Sequence, residues 1–324
     1  MIKILVNDGM HPDGQQLLEE ANFEVNTEPV AQENLPEVLP EYEVIIVRSA
    51  TKVRKDLIDK CPNLKIIARG GVGLDNIDVN HAKSKNIEVI NTPAASSPAV
   101  AELAFAHMFA ISRFLYKSNR EMPATGDTQF KNLKKAYSRG TQLREKTLGI
   151  IGFGRIGQET ARIGLALGMN IMPVDLVINE SNLTISLYNN KDINLTVRVP
   201  TVSWNTMLEN SDFISLHVPF GGKALIGAKE FEKMKTGVII INVARGGTLD
   251  EEALLEALNS GKVAGAGLDV FENEPTPLKA LLEHPQVSLS PHIGASTLEA
   301  QRNIGIELAE KIIAHFNGNS NGES

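Results

Sequence analysis

The stretch Leu148-Gly149-Ile150-Ile151-Gly152-Phe153-Gly154-Arg155-Ile156-Gly157 decides how this chain of 324 residues is read. Three glycines at G-x-G-x-x-G spacing follow an apolar, β-branched run and open a segment, Ile156–Leu167, of helical character. Strand, tight turn and helix in that order make a cradle for a pyrophosphate. Gly152 permits the turn, Gly154 lets the main chain approach the phosphates, and Gly157 allows close helix–strand packing. Arg155 and Ile156 stand at the helix start, where free N–H groups and the positive dipole end face an anion. The next β-branched run ends at Asp175, 18 residues after Gly157. A carboxylate there accepts hydrogen bonds from both adenosine ribose hydroxyls and repels a 2′-phosphate. The expected cofactor is therefore NAD rather than NADP.

Outward from the turn, short β-branched runs alternate with helical patterns, the signature of parallel sheets in the α/β class. A second series of strands is predicted at Leu148–Ile151, Asn170–Val174, Phe213–His217, Val238–Ile241, Ala264–Leu268 and Val287–Leu289. An earlier series is predicted at Ile2–Val6, Val44–Val47, Lys65–Ala68 and Glu88–Ile90, with helices such as His11–Ala21 and Thr51–Cys61 between. Two long helices, Pro98–Asn119 and Thr297–Asn317, connect the series. If the last one packs back on the first series, the chain forms two Rossmann-like/flavodoxin-like domains. The NAD-binding, doubly wound domain of residues 98–291 is then inserted into a discontinuous substrate-binding domain of residues 1–97 and 292–324. Ligands would meet in the cleft between them. The segment 179–199, rich in Asn, Thr and Leu, resists the pattern; it reads as a surface insertion or small hairpin near the adenine side of the cofactor.

Composition narrows the classes. At 42% hydrophobic and 22% charged residues the chain is an ordinary globular one. A formal net charge of -7 excludes nucleic acid and anionic membrane as general partners. The single cysteine, Cys61, allows neither an intramolecular disulfide nor a cysteine metal cluster, so no metal is expected and a reducing, cytoplasmic compartment is. The N-terminal apolar run is too short for a signal peptide. The most apolar helical stretch, interrupted by Glu102, His107 and Arg113, falls short of a membrane span. Glycosylation patterns at Asn182 and Asn194 carry no meaning without secretion. His11, His81, His107 and His284 are read as structural.

Three polar residues follow predicted strands of the second series, at the carboxyl ends where such sheets bind ligands. Arg245 lies in Asn242-Val243-Ala244-Arg245-Gly246-Gly247, Glu274 follows Leu268-Asp269-Val270, and His292 lies in Pro291-His292-Ile293-Gly294-Ala295-Ser296. They suit the oxidation of a 2-hydroxy acid. Imidazole changes charge nearest neutrality and can take and return the hydroxyl proton. A carboxylate beside it orients the ring, and a guanidinium fork holds the substrate carboxylate and the adjacent oxygen.

These motifs, with Val47-Arg48-Ser49-Ala50-Thr51, Gly70-Gly71-Val72-Gly73-Leu74-Asp75-Asn76 and Leu268-Asp269-Val270-Phe271, run in order over nearly the whole chain. In them the sequence resembles the D-isomer-specific 2-hydroxyacid dehydrogenase family, most of all its phosphoglycerate-oxidising members in serine biosynthesis. The resemblance implies catalytic roles for Arg245, Glu274 and His292. It implies cofactor contacts from Gly152, Gly154, Arg155, Ile156, Gly157, Asp175, His217, Val218, Pro219, Val243, Ala244, Asp269, Gly294 and Ala295. It also implies a substrate loop whose glycines bring backbone N–H groups to a carboxylate, with Arg48, Arg69, Gly71, Val72, Gly73 and Lys135 at the substrate; Arg54 is a further candidate.

A basic cluster in a protein of charge -7 favours a doubly anionic 2-hydroxy or 2-oxo acid. The reaction expected is reversible oxidation of 3-phosphoglycerate. A reductase of glyoxylate, hydroxypyruvate or another 2-oxo acid is the alternative, and an NAD-sensing corepressor a second one. The chain ends at Ser324 without the C-terminal domains that many phosphoglycerate enzymes carry, so no feedback by serine is expected. The apolar Pro98–Asn119 helix is expected to be covered by a second copy in a homodimer.

Overall fold

Alternate residues of the first strands face opposite sides, and that alternation builds two half-cores around one sheet. In the computed structural model, which describes residues 1–187 and 190–319, the chain divides into two compact units, 1–97 with 295–324, and 98–294. The first unit holds β1 (Lys3–Val6), β2 (Glu24–Asn26), β3 (Val44–Val47), β4 (Ile66–Arg69) and β5 (Glu88–Asn91). All are parallel, in the order β2-β1-β3-β4-β5. Ile4, Val6, Ile46 and Ile66 face α1 (Pro12–Glu20) and α12 (Leu298–Asn319). Leu5, Ile45, Val47 and Ile67 face α2 (Leu35–Val38), α3 (Lys55–Ile58) and α4 (Val79–Ser84). The C-terminal helix reaches α1 by contact of backbones: a Cβ on Gly14 would lie 2.4 Å from the Gly305 carbonyl oxygen.

The second unit begins with α5 (Ser97–Ser112) and α6 (Leu115–Ala136). Its sheet carries β6 (Thr147–Ile151), β7 (Asn170–Val174), β10 (Phe213–Leu216), β11 (Val238–Asn242), β12 (Val263–Leu268) and β13 (Val287–Leu289), flanked by α7 (Arg155–Ala166), α8 (Trp204–Asn210), α9 (Ala228–Lys233), α10 (Glu251–Asn259) and α11 (Lys279–Leu282). The order β13-β12-β11-β10-β6-β7 is parallel throughout, and the winding reverses between β6 and β10. In such sheets that is where a crevice opens at the carboxyl ends. The expected α/β class with parallel, Rossmann-like sheets is the one observed.

Local readings needed three corrections. The predicted helix Pro98–Asn119 is two helices bent by 57°, because Phe114 turns left-handed at φ +54°. No residue there announces a break. It is held by distant partners: the Ser112 carbonyl accepts from Thr141 N (2.9 Å), and the Phe114 ring packs on Tyr137 (5.7 Å between centroids). The predicted helix Thr51–Cys61 is only the four-residue α3, since Thr51 donates to Asp8 instead of entering a helix. The three-residue β2 was not expected.

The insertion is a hairpin of β8 (Glu180–Leu187) and β9 (Asn190–Pro200), antiparallel and laid on α7 and β7. Among the described residues no single helix is long and apolar enough to cross a membrane.

Candidate active site

The glycine turn separates two packed glycines from an open one. Gly152 has φ +90°, and a Cβ there would lie 2.6 Å from Val218 and 2.7 Å from the His217 carbonyl oxygen. A Cβ on Gly157 would lie 2.0 Å from the Gly152 carbonyl oxygen, whereas one on Gly154 would meet nothing within 4 Å. The first two glycines allow backbone segments to touch; the third leaves an open face. Along α7 the first capping bond runs from Gln158 N to Gly154 O (2.9 Å). Among the described residues the N–H groups of Arg155 and Ile156 therefore lack a backbone acceptor, as an anion site at a helix start requires.

Asp175 follows β7 with its carboxylate already oriented. Oδ2 accepts from Phe153 N (2.7 Å), and Oδ1 accepts from Val177 N (2.9 Å) and Ile178 N (3.0 Å). Burial pulls its pKa upward, but these N–H donors outweigh it and leave the carboxyl below its ordinary value.

His217 follows β10 across the turn. Its Nε2 lies 2.9 Å from Ser215 Oγ and 3.2 Å from Thr160 Oγ1, while Nδ1 is buried without a partner among the described residues. The residue keeps some surface but its ring nitrogens do not, and burial pushes the imidazole down to about 3, so it is neutral. An open glycine face, donors at a helix start, a fixed carboxylate and an orphaned ring nitrogen together fit a dinucleotide.

Further along the sheet, Asn242 at the end of β11 shapes the loop that carries Arg245. Its amide nitrogen donates to Arg245 O and Thr248 Oγ1 (both 3.1 Å), and its Oδ1 accepts from Ala244 N (3.2 Å). Val243 and Ala244 are buried, and Arg245 is half-buried with Nη1 donating to Ala244 O (2.6 Å). A Cβ on Gly246 would lie 1.8 Å from the Phe271 carbonyl oxygen, so this loop runs against the one leading to Glu274.

Glu274 Oε2 lies 2.8 Å from His292 Nδ1, and its Oε1 accepts from Phe271 N (3.0 Å). Both side chains are open to solvent, and with Phe271, Leu289 and Pro291 they line a cavity of about 440 Å3. His292 has φ +55°, a left-handed conformation that disfavours a side chain by about 1–2 kcal/mol. Asp269 holds it there. Its carbonyl accepts from His292 N (2.8 Å), and its carboxylate accepts from Ile293 N (2.9 Å) and Gly294 N (2.8 Å).

Asp269, expected among the cofactor contacts, is thus buried beneath the His292 loop and engaged with it. The same bonds tie Ile293 and Gly294 to the second unit, so the junction falls after Gly294 and not after Pro291. Ala295 opens the other unit, where its carbonyl accepts from Gln301 Nε2 (2.7 Å).

In the first unit the glycine loop follows β4. Gly71 has φ +140°, and a Cβ on it would meet Arg69 Nη1 at 1.8 Å; one on Gly70 would lie 3.5 Å from Arg48 Cγ. Arg48 and Arg69 therefore flank the loop at the carboxyl ends of β3 and β4, where Val47 pairs with Arg69. Asn91 Nδ2 donates to Val72 O (2.7 Å), and Thr92 N to Gly71 O (3.1 Å). The carbonyls are used while the N–H groups of Val72 and Gly73 meet no acceptor among the described residues. Asp8, at the end of β1, accepts from Arg48 N (2.7 Å) and Thr51 N (3.1 Å) and fixes the 48–51 turn. Arg54 is turned to the Asp75 carbonyl (2.6 Å). Lys135 is exposed near the end of α6 in the other unit.

Sequence reasoning missed the loop-bracing bonds of Asn242, Glu251 and Ser290. Glu251 is 5% exposed and its Oε1 accepts from Glu272 N (2.8 Å), which braces the loop before Glu274. A polar residue closing the run Val238-Ile239-Ile240-Ile241-Asn242 was a legible signal; the partners of the others lie too far along the chain.

The NAD binding domain model of the D-isomer specific 2-hydroxyacid dehydrogenases matches residues 105–294. The hydroxypyruvate reductase of Thermotoga maritima is 47% identical, over 96% of this chain and 97% of that protein. The D-3-phosphoglycerate dehydrogenase of Methanocaldococcus jannaschii is 42% identical over 96% of this chain, which spans only 57% of that longer protein. The crystal structure of a glyoxylate reductase from Paecilomyes thermophila superposes with a TM-score of 0.81 at 30% identity, covering 98% of this chain and 96% of that one. With a matching NAD-binding model over more than half its length, and a relative alike nearly end to end, the chain belongs to the D-isomer specific 2-hydroxyacid dehydrogenases, enzymes that use NAD.

Proposed function

We propose that this dehydrogenase interconverts 3-phospho-D-glycerate and 3-phosphohydroxypyruvate, in the sense that feeds serine synthesis. One observation carries the reading: Arg48 and Arg69 stand at the carboxyl ends of adjacent strands on either side of the Gly70–Gly73 loop. Backbone N–H groups of that loop suit the substrate carboxylate, and two guanidinium groups suit a second, doubly charged anion.

In this reading the Gly152–Gly157 turn would hold the NAD pyrophosphate and Asp175 its ribose, and the bound cofactor would supply the hydride acceptor for C2. Arg245 holds the carboxylate and the oxygen that becomes the carbonyl. His292 takes the hydroxyl proton at Nε2, and Glu274 stabilises the imidazolium so formed through Nδ1. The enzyme works as a homodimer in the cytoplasm: Phe109, Leu115 and Phe130 on α5 and α6 are exposed apolar surface that a second copy would cover, and the one cysteine fits a reducing compartment.

A second reading, reduction of hydroxypyruvate to D-glycerate, is favoured by the Thermotoga maritima relative. Steady-state rates with NADH on phosphohydroxypyruvate and on hydroxypyruvate separate the two. Phosphohydroxypyruvate should be preferred by kcat/KM, and Arg48→Ala should reduce that preference at least about tenfold, the worth of one charge-assisted bond. Equal loss on both substrates would leave the second reading standing.

A further inference from the structure

Beneath the His292 loop runs a chain of buried hydrogen bonds that begins on a distant helix. His107 on α5 is 4% exposed. Its Nδ1 lies 2.9 Å from Ser288 Oγ on β13, and its Nε2 lies 2.9 Å from Ser290 Oγ in the following turn. Ser290 Oγ in turn donates to Asp269 Oδ1 (2.6 Å). Asp269 then takes the N–H groups of His292, Ile293 and Gly294.

The directions follow from counting protons. The single hydroxyl proton of Ser290 goes to the Asp269 carboxylate, so its oxygen can only accept from His107. Nε2 of His107 therefore carries the ring proton. Nδ1 is then an acceptor, and Ser288 supplies its own hydroxyl proton to it. Burial lowers the pKa of His107, with the charge of Asp269 offsetting part of this, in keeping with a neutral ring that has one donor and one acceptor. Every donor along the line points the same way, from β13 through α5 to the loop. Such aligned bonds strengthen one another in a buried setting.

The sheet makes room for this. A Cβ on Gly267 in β12 would lie 2.6 Å from His107 Cβ and 2.9 Å from its Cγ, and one on Gly265 would lie 2.6 Å from Ile111. Only glycine at these places lets α5 lie low enough for the imidazole to cross β12 and reach β13.

From this geometry we propose that His107 is a positioning residue for His292, acting through Ser290 and Asp269 to hold the left-handed backbone that aims the catalytic imidazole. This rests on the reading of His292 as the acid–base group. Without the His107 donor, Ser290 can turn away from Asp269, and the Ile293 and Gly294 N–H groups held by that carboxylate, next to His292, lose their fixed reference. A displacement of about 1 Å at a reacting group is enough to lower turnover by up to about a hundredfold.

The test compares His107→Phe, His107→Gln, His107→Asn and Ser290→Ala with the intact protein. kcat, KM for 3-phosphoglycerate, NAD affinity by fluorescence titration and melting temperature are measured for each. The Gln amide nitrogen reaches the place of Nε2 and keeps the donor to Ser290; the Asn side chain is too short to do so. His107→Phe, His107→Asn and Ser290→Ala should each lower kcat by about ten- to a hundredfold with NAD affinity within about twofold. His107→Gln should recover most of the loss, and His107→Phe with Ser290→Ala should be no worse than either alone.

A wild-type kcat in Ser290→Ala, or equal losses in the Gln and Asn variants, overturns the proposal. If His107→Phe fails to fold, the other three decide it. His292→Ala serves as the control: if it stays active, the reading of His292 itself is what failed.

Discussion

His292 Nδ1 lies 2.8 Å from Glu274 Oε2, while the other oxygen of the same carboxylate accepts from Phe271 N at 3.0 Å. The carboxylate is thus pinned by a main-chain donor and can only accept at His292. Nδ1 must carry a proton, which leaves Nε2 unprotonated in the neutral ring and able to act as a base. Glu274→Gln separates orientation from charge. Phe271 N retains the amide oxygen, so the NH2 group is turned to His292 and demands the opposite tautomer. Oxidation should fall by about 10²–10⁴-fold, as in loss of a general base, with NAD affinity unchanged. Stopped-flow and steady-state assays check it; a loss under fivefold would refute the tautomer argument.

The two kinds of glycine in the turn give a paired prediction. Gly154→Ala adds a Cβ that meets no protein atom, so the melting temperature should hold while NAD affinity drops at least about tenfold, or 1.4 kcal/mol. Gly157→Ala drives its Cβ against the Gly152 carbonyl and should lower both melting temperature and affinity. Calorimetry on the two variants tests the contrast, which reverses if Gly154 serves packing.

Asp175 is held ionised by main-chain donors, with its carboxyl below the ordinary value. The affinity for NAD should therefore show no titration of this carboxylate from pH 5 to 9 (roughly the range above any ordinary carboxyl titration), while NADP is repelled more as its 2′-phosphate gains its second charge at about pH 6. Asp175→Ala should weaken NAD by about tenfold or more and narrow the gap to NADP. Affinities for both cofactors at several pH values check both statements.

Glu251 predicts a pH-dependent stability. Burial first, then the charges of Glu272 and Glu274, raise its carboxyl above the ordinary value, and the Glu272 N–H offsets only part of this. The folded state thus binds this proton more tightly than the unfolded one. Its contribution is present at acid pH and is lost as pH rises through the folded-state value. Glu251→Gln keeps an acceptor for Glu272 N and removes the buried charge. It should melt a few degrees above the intact protein at pH 8, with the gap closing as pH falls into the carboxyl range. A lower melting temperature at pH 8 would show that the ionised form is favoured.

Much of the candidate site was legible because its requirements are local. The turn Gly152–Gly157 needs residues without Cβ at three places within six, and Asp175 needs only to follow the next strand. Arg245, Glu274 and His292 were found as polar residues after apolar strands. What escaped the sequence were groups whose partners lie far along the chain. His107 carried no local sign of a role, since Ser288 and Ser290 are 181 and 183 residues away. Phe114 bends the long helix against its own preference because Thr141 and Tyr137 return to it.

The amino-acid sequence by itself determined the βα order, the glycine turn, NAD as the cofactor and the three candidate side chains Arg245, Glu274 and His292, since each is set by spacing and φ demands within a few residues. Only the tertiary structure decided how the glycine turn is finished and how His292 is aimed. Gly154 faces open space while Gly152 and Gly157 touch backbone, and Asp269 holds a left-handed His292 from below. Both depend on close packing between strands and helices remote in sequence, where a hydrogen bond's direction follows from which groups the fold has buried together.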